Sequence, residues 1–213
     1  MAAFDESARF EKVVREQLER SMGEWQRTTL GEICRDSGGE IQTGPFGSQL
    51  HARDYVSSGT PSVMPQNIGD NRIDPEGIAR VSDHDIARLK RYVLRQGDIL
   101  YSRRGDVERR ALVRAENDGW LCGTGCLRVR IETQEHFDSR FISYALGLEE
   151  SRKWIVRHAV GATMLNLNTA ILGAVPILAP GIGEQIAIAE VLGALDDKIA
   201  ANDVSSRTAL ALV

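Results

Sequence analysis

Hydrophobic residues near the start of the chain recur at helical spacing. Between residues 5 and 22 they fall on one stripe, and charged residues take most of the remaining positions. The stripe consists of Phe10, Val13, Val14 and Leu18. Gly23 interrupts this pattern, and the segment that follows, WQRTTLGEIC, reads as a short strand. The pattern therefore predicts an amphipathic helix over residues 1–24 and a domain that begins at Trp25.

Residues 38–77 carry turn-forming residues in place of a long periodic pattern. Glycine, proline, asparagine, aspartate and serine recur there every few positions, which predicts short strands joined by turns. Residues 92–106, 111–123 and 126–132 read as further strands. In the last of these, Leu127 and Val129 alternate with arginines. Short strands with frequent turns indicate irregular sheets.

Two helical patterns interrupt these strands. Residues 82–91 open on a serine and aspartate cap signal and predict a short helix. Residues 137–159 place aromatic and aliphatic residues at helical spacing, and Gly147 divides this helix in two. A loop at residues 162–172 leads to a strand, AVPILAP, that ends the domain. We therefore predict an α+β fold, with a mixed α/β domain of irregular sheets over residues 25–182.

The last part of the chain, residues 183–213, shows a heptad pattern. Apolar and small residues follow alternating steps of four and three, which predicts a long coiled-coil-type helix that pairs with another helix. The pairing residues are Ile188, Leu192, Leu195, Ile199 and Asn202. Packing of this helix on its own domain is the alternative. The pattern reaches Val213 without a capping residue, so a truncated helix is one interpretation.

The composition limits the classes of protein to consider. At 213 residues, with 42% hydrophobic and 26% charged residues, the chain resembles folded and not disordered proteins. The formal net charge of -4 argues against a free-standing DNA-binding protein. Binding of nucleic acid would therefore require a local basic patch or a partner that supplies positive charge. No apolar run approaches the roughly 20 residues that cross a bilayer. We expect a cytoplasmic protein without a membrane segment.

Residues with catalytic or metal-binding chemistry are sparse. Cys122 and Cys126 lack a second Cys/His pair at ligand spacing, so structural thiols are favoured over a metal site. The sequence has no phosphate-binding GxxxxGKS/T loop, no GxSxG elbow and no HExxH motif. Asp98 lacks the lysine partner of a nuclease carboxylate. We therefore expect neither an enzyme nor a metal or cofactor site.

Five segments, taken in order, carry a resemblance to a known family. They are TGPFGSQLHARDY (43–55), MPQNIGDNRID (64–74), LRQGDILYSRRGD (94–106), VGATMLNLNTAIL (160–172) and VPILAPGIGEQIAIAEVLGALDDKI (175–199). Together they resemble one target-recognition domain and one spacer helix of the specificity subunit of type I restriction-modification systems. The LPP turn of that family is Leu178, Ala179 and Pro180 here, and the N-terminal helix is not a standard part of such a half.

The resemblance implies a non-catalytic subunit that reads one half of a split DNA target. It implies double-stranded DNA, methyltransferase subunits and restriction subunits as partners. Members usually carry two recognition domains, so the chain resembles a half-length form. Two copies joined through their helices would read a symmetric target. The alternative function is an adaptor or truncated decoy that binds methyltransferase through its helix without reading DNA.

A basic island lies at residues 91–114, where seven arginines accompany three acidic residues. Arginine suits bidentate bonds to phosphate or to guanine. Gly105 permits a tight turn with two arginines on each side, which predicts a clamp on DNA. The arginines of this clamp are Arg103, Arg104, Arg109 and Arg110. The alternative is a solvated hairpin whose arginines pair with Asp106 and Glu108.

Amide and hydroxyl side chains in the loops are further candidates, because base edges and not phosphates carry sequence information. Asparagine and glutamine can bind adenine in a bidentate manner, while the closure of a turn is the alternative role for each. Arg157, near the end of a predicted helix, is a candidate for a phosphate contact. The polar candidates are Ser48, Gln49, His51, Gln66, Asn67, Thr163, Asn166 and Asn168.

Overall fold

The structure, a computed structural model, describes residues 25–211 and the side chains of residues 25–202. The helix predicted for residues 1–24 lies outside the described residues. Within the described part, short strands and helices alternate in irregular sheets, and a single long helix follows them. This arrangement confirms the predicted α+β fold class.

Eleven strands in the described residues form three sheets. The strands are β1 (Gln26–Thr29), β2 (Glu40–Thr43), β3 (Tyr55–Val56), β4 (Thr60–Val63), β5 (Asp70–Asn71), β6 (Ala79–Val81), β7 (Ile99–Ser102), β8 (Arg110–Leu112), β9 (Leu121–Cys122), β10 (Cys126–Arg130) and β11 (Pro176–Ala179). The central sheet has the order β2-β10-β7-β8-β5, the second sheet has the order β3-β6-β4-β9, and β1 pairs with β11. The pairs are antiparallel except β4 with β9 and β5 with β8.

Six α-helices accompany the sheets in the described residues. They are α1 (Leu30–Asp36), α2 (Asp83–Arg88), α3 (Ser139–Gly147), α4 (Glu149–His158), α5 (Thr169–Gly173) and α6 (Ile182–Ala211). The predicted division of residues 137–159 is confirmed, because α3 ends at Gly147 and α4 begins at Glu149. Across the described helices, none is both long and apolar enough to span a bilayer.

The prediction of a strand over residues 25–34 is wrong in its second half, where α1 begins. Thr29 and Glu32 form a capping box: Glu32 N donates to Thr29 Oγ1 over 3.3 Å, and Thr29 N donates to Glu32 Oε2 over 2.8 Å. This pair satisfies backbone donors that a helix start leaves free. The spacing of threonine and glutamate was the helix signal in the sequence.

The core has two layers, one on each face of the central sheet. Successive side chains of a strand point to opposite faces, and in β7 Ile99 and Tyr101 join one cluster while Leu100 joins the other. The first cluster lies under α1, α3 and α5 and includes Leu30, Ile142 and Leu172. The second lies between the two larger sheets. A sheet covered on both faces explains why β7 is buried along its whole length.

The first half of α6 packs on the domain itself. The buried Gln185 side chain accepts a hydrogen bond from Asp138 N over 3.0 Å and donates to Pro180 O over 2.8 Å. Asp197 Oδ1 forms ion pairs with Arg72 Nη2 over 2.7 Å and with Arg114 Nη1 over 2.8 Å. The alternative interpretation of the sequence, in which the helix packs on its own domain, therefore applies to this half.

Candidate nucleic-acid interface

Five loops meet at one end of the central sheet, and we call this surface the loop edge. Antiparallel pairing brings the end of β2 beside the start of β10 and the end of β7 beside the start of β8. Gly44 N then donates to Cys126 O over 2.9 Å, and Gly123 N donates to Val63 O over 2.9 Å. The loop edge consists of residues 44–49, 64–67, 103–105, 123–125 and 160–167.

The loop at residues 103–105 is held on both sides. Arg103 N donates to Gly125 O over 2.8 Å, and Leu167 N donates to Arg103 O over 2.8 Å. Gly105 N donates to Leu165 O over 3.0 Å, and the φ of Gly105 is 74°, where glycine is favoured. The predicted tight turn therefore exists, and backbone bonds connect it to the loop at residues 160–167.

Two arginines of this loop have no ion pair with any residue that the structure describes. Arg104 is exposed, and Arg103 is half-buried with its guanidinium carbon 5.7 Å from the centre of the Phe46 ring. The sequence placed both in a clamp on DNA. Their position on the loop edge, without a carboxylate partner, leaves their charge available to an anionic ligand.

The other two arginines of the predicted clamp are engaged within the protein. Arg109 pairs with Asp106 over 3.6 Å, as the alternative interpretation held. Arg110 is only 7% exposed, and its Nε donates to Ser143 O over 2.6 Å. Arg110 lies on β8 opposite Tyr101, so its side chain points beneath α3 and away from the loops. The structure therefore gives Arg110 partners within the protein and does not place it on the loop edge, and a DNA contact by Arg110 stays an untested prediction.

The other three arginines of the basic island also differ in their partners. Arg95 pairs with Glu132 over 2.9 Å, and Arg114 pairs with Asp197 on α6. Arg91 lies over the Tyr92 ring at 5.0 Å. Carboxylates that are distant along the chain therefore pair with three of the seven arginines of the island, which are Arg95, Arg110 and Arg114.

Four of the predicted polar contacts stabilise local turns. Asn67 is buried, its Oδ1 accepts a bond from Met64 N over 3.1 Å, and its Nδ2 donates to Asp74 O over 3.1 Å. Burial and these bonds engage its amide within the protein, so a base contact by Asn67 stays an untested prediction with a structural role as the alternative. The Gln49 side-chain oxygen accepts from Phe46 N over 3.2 Å and from Tyr92 Oη over 2.9 Å.

His51 and Asn168 have local partners as well. His51 Nδ1 lies 3.4 Å from a carboxylate oxygen of Asp54. Asn168 is the N-cap of α5, because its Oδ1 accepts a bond from Ile171 N over 2.8 Å. Both side chains are exposed, yet each has a structural role at its present position.

The remaining candidates have side chains without hydrogen-bond partners among the described residues. Ser48, Gln66 and Thr163 are exposed on the loop edge, and Asn166 is half-buried there. Arg157 is exposed near the end of α4, just before the loop at residues 160–167. These five side chains stay predictions for contacts to DNA, and the structure places four of them on the same surface as Arg103 and Arg104.

Sequence reasoning missed the apolar part of the loop edge. Phe46 is 52% exposed, and Val160 and Met164 are also largely exposed. Each is an apolar residue in a segment of turn residues, which is the signal that was available in the sequence. Exposed apolar side chains beside unpaired arginines are typical of a binding surface.

The cysteines are buried thiols. Burial raises the pKa of Cys34 and of Cys122 to about 12, and it raises that of Cys126 well above its ordinary value. Cys126 Sγ donates to Val63 O over 3.3 Å. A thiol that stays protonated is a poor nucleophile and a poor metal ligand, which favours a structural role for these residues.

We expect the thiols of the folded protein to resist alkylation. At pH 8 iodoacetamide should modify none of the three cysteines in the native state, because their pKa values lie far above this pH. All three should react after unfolding in urea, and mass spectrometry measures the count. Rapid native modification of Cys122 would show that it is exposed and ionised.

The outer face of α6 is a second candidate surface. Val191, Leu195 and Ile199 are 62%, 53% and 59% exposed, and they form one stripe at steps of four residues. Ile188, predicted to pair with another helix, instead packs against the core of its own domain, and Leu192 is half-buried. Asn202 is exposed. The residues predicted to pair with another helix therefore divide into two groups. Ile188 packs against its own domain, whereas Leu195 and Ile199 belong to the exposed stripe.

Comparison with known proteins gives a family match. The model of the family described as "Type I restriction modification DNA specificity domain" matches residues 22–206. No curated protein matches the sequence. The family match covers all of the loop edge and the stripe on α6.

Solved structures of similar fold include the type I restriction-modification S subunit from M. genitalium, with a TM-score of 0.58, 16% identity and 83% of this chain covered. A type I R-M system complex matches with a TM-score of 0.58 and 19% identity over 94% of this chain. The HsdS subunit from Thermoanaerobacter tengcongensis matches with a TM-score of 0.55, 19% identity and 94% coverage. The chain spans 40%, 50% and 49% of these three proteins.

Proposed function

The chain belongs to the family of type I restriction modification DNA specificity domains, and on this premise we propose that it reads one half of a bipartite DNA target through its loop edge. The specificity subunit of these systems is non-catalytic, so recognition and not chemistry is the role of the chain. In this proposal, partner methyltransferase subunits modify the DNA that the loop edge selects.

One observation carries the proposal: Arg103 and Arg104 lie on the loop edge without a carboxylate partner among the described residues, in a chain of net charge -4. An acidic protein neutralises most of its arginines with its own carboxylates. Arg103 and Arg104 are among the described arginines without such a partner, and they share the loop edge with the exposed Ser48, Gln66 and Thr163, a combination that suits phosphate and base edges together. Because the net charge is negative, we expect the isolated chain to bind DNA weakly.

Two copies of the chain would supply both halves of the target. The chain spans about half the length of the solved relatives, and the exposed stripe Val191, Leu195 and Ile199 offers an apolar face for a second α6. A twofold dimer would present two identical loop edges and would read a symmetric target. We propose this homodimer, with methyltransferase subunits docked on the paired helices.

The same stripe favours the second candidate, an adaptor that binds methyltransferase subunits through α6 without reading DNA. The two functions differ in their dependence on the loop edge. An adaptor needs Leu195 and Ile199 but not Arg103 and Arg104, whereas a recognition subunit needs both sets.

The double variant Arg103→Ala, Arg104→Ala should abolish methylation of the target. Each lost contact to a base or phosphate weakens binding, by about 1 to 3 kcal/mol for a bidentate base contact, and the salt dependence of binding becomes shallower. The chain is expressed with its methyltransferase subunits, and methylation-sensitive sequencing of the host DNA reports the motif. The unmodified chain should give a split motif.

Arg35→Ala is the matched control, because Arg35 is an exposed arginine on α1, before the opposite end of β2. It should leave the motif and its extent of methylation unchanged. Methylation of the same motif to the same extent by the double variant would contradict DNA reading through the loop edge. Methyltransferase that copurifies with the chain but methylates without sequence preference would support the adaptor.

A further inference from the structure

Phe46 is an exposed aromatic residue that the fold holds in place. Phe46 N donates to the Gln49 side-chain oxygen over 3.2 Å, and Phe46 O accepts from Gln49 N over 2.8 Å and from Leu50 N over 3.2 Å. The same Gln49 oxygen accepts from Tyr92 Oη over 2.9 Å, which ties the turn to the second core layer. The ring is not needed in the core, since it is 52% exposed. A turn this well bonded therefore presents the ring at the surface.

The Phe46 ring meets the guanidinium of Arg103, whose backbone is bonded at both N and O to neighbouring loops. An arginine side chain normally loses much rotational freedom on binding. The cation-π contact with the ring and the burial of Arg103 Nε restrict that freedom beforehand, while the terminal nitrogens of the planar fork keep their donors. Arg103 is therefore preorganised in the absence of a ligand.

Arg104 differs from its neighbour in each of these respects. Its side chain is exposed and has no ring or ion-pair contact with any described residue. Arg104 forms a β-bridge with Asn166, and successive residues of extended chain point to opposite sides. Its charge is available, but the direction of its fork is not fixed.

We propose that Arg103 reads the O6 and N7 edge of a guanine in the major groove, that Phe46 is the residue that positions it, and that Arg104 contacts a phosphate. A bidentate contact to a base requires a fixed direction of the fork, and the contact with Phe46 together with the buried Nε limits the directions that Arg103 can take. A phosphate contact requires charge and tolerates many directions. This assignment rests on the proposed function, because it divides the work of DNA reading between two adjacent arginines.

The experiment compares conservative variants in the complex of the chain with its methyltransferase subunits. Duplexes carry the methylated motif, with each guanine replaced in turn by 7-deazaguanine, which keeps the base pair but removes the N7 acceptor. One replacement should weaken binding of the unmodified complex by roughly tenfold. Arg103→Lys should bind the natural motif roughly tenfold more weakly and lose sensitivity to that one replacement.

The remaining variants separate positioning from charge. Arg104→Lys should keep the sensitivity to 7-deazaguanine, because lysine retains the phosphate contact. Phe46→Leu should reduce that sensitivity with an unchanged salt dependence, and Phe46→Tyr should restore it because the ring is kept. Arg35→Ala, the exposed control on α1 outside the loop edge, should have no effect on it.

Two results would overturn the assignment. One is an Arg103→Lys complex that discriminates at every guanine as the unmodified complex does. The other is a Phe46→Leu complex with full sensitivity to 7-deazaguanine. Failure of the proposed function itself is distinguishable, since the unmodified complex would then show no preference for any motif. Thermal unfolding of each variant, followed by circular dichroism, confirms that a loss of discrimination is not a loss of fold.

Discussion

The double variant Leu195→Glu, Ile199→Glu should be monomeric at concentrations where the unmodified chain is a dimer. Burial of an aliphatic side chain contributes about 1.5 to 3 kcal/mol, and a twofold interface contains each of the two residues twice. Four side chains at the lower value contribute about 6 kcal/mol, so dimerisation should weaken by roughly ten-thousand-fold. Sedimentation equilibrium measures the dissociation constant.

Ala194→Glu is the matched control for this variant, because Ala194 is exposed on α6 but lies outside the stripe. The control should dimerise as the unmodified chain does. A double variant that remains dimeric would show that copies associate elsewhere, and an unmodified chain that is monomeric at every concentration would contradict the proposed homodimer. The monomeric variant should also yield no methylation of a symmetric motif, since one loop edge reads only one half.

Asp98→Ala should lower the free energy of unfolding by about 3 to 5 kcal/mol, because it leaves a largely buried arginine without its partner. Asp98 is 2% exposed, and it accepts bonds from Arg130 Nε over 2.7 Å and from Arg95 N over 2.8 Å. Urea denaturation measures the change. The carboxylate that resembled half of a nuclease site in the sequence thus joins β10 to the turn before β7.

Glu132→Ala is the control, because it removes the exposed partner of Arg95, at 2.9 Å, from the same region. Its cost should stay below about 1 kcal/mol, as for other exposed ion pairs. Should Asp98→Ala unfold at the same urea concentration as Glu132→Ala, the buried pair would contribute no more than a surface one, and the role assigned to Asp98 would be wrong.

Local signals in the sequence predicted the elements that depend on neighbouring residues. Two such elements are the helix pair α3 and α4, divided at Gly147, and the long helix α6. Both follow from the spacing of hydrophobic residues over a few positions. The helix α1 was missed, although Thr29 and Glu32 carried its capping signal, because the apolar residues after Thr29 also fit a strand. Capping chemistry decided between the two.

The basic island shows what local signals do not contain. Arg103 and Arg110 lie seven positions apart and are alike in the sequence, yet one lies on the loop edge and the other beneath α3. The register of β7 and β8 places Arg110 opposite Tyr101, and Ser143, far along the chain, supplies its acceptor. A count of charges therefore predicted a basic surface larger than the one that the folded chain presents.

The sequence by itself determined the α+β class, the helices α2, α3, α4 and α6 and the turn-rich loops, because hydrophobic period, caps and glycines act over a few residues. Tertiary structure alone decided which arginines are free, which amides close turns and which flank of α6 is exposed. The reason is that contacts between distant segments determine the partner of a side chain, as in the ion pairs of Asp197 with Arg72 and Arg114. Periodicity shows that residues share a face, but only packing shows what that face meets.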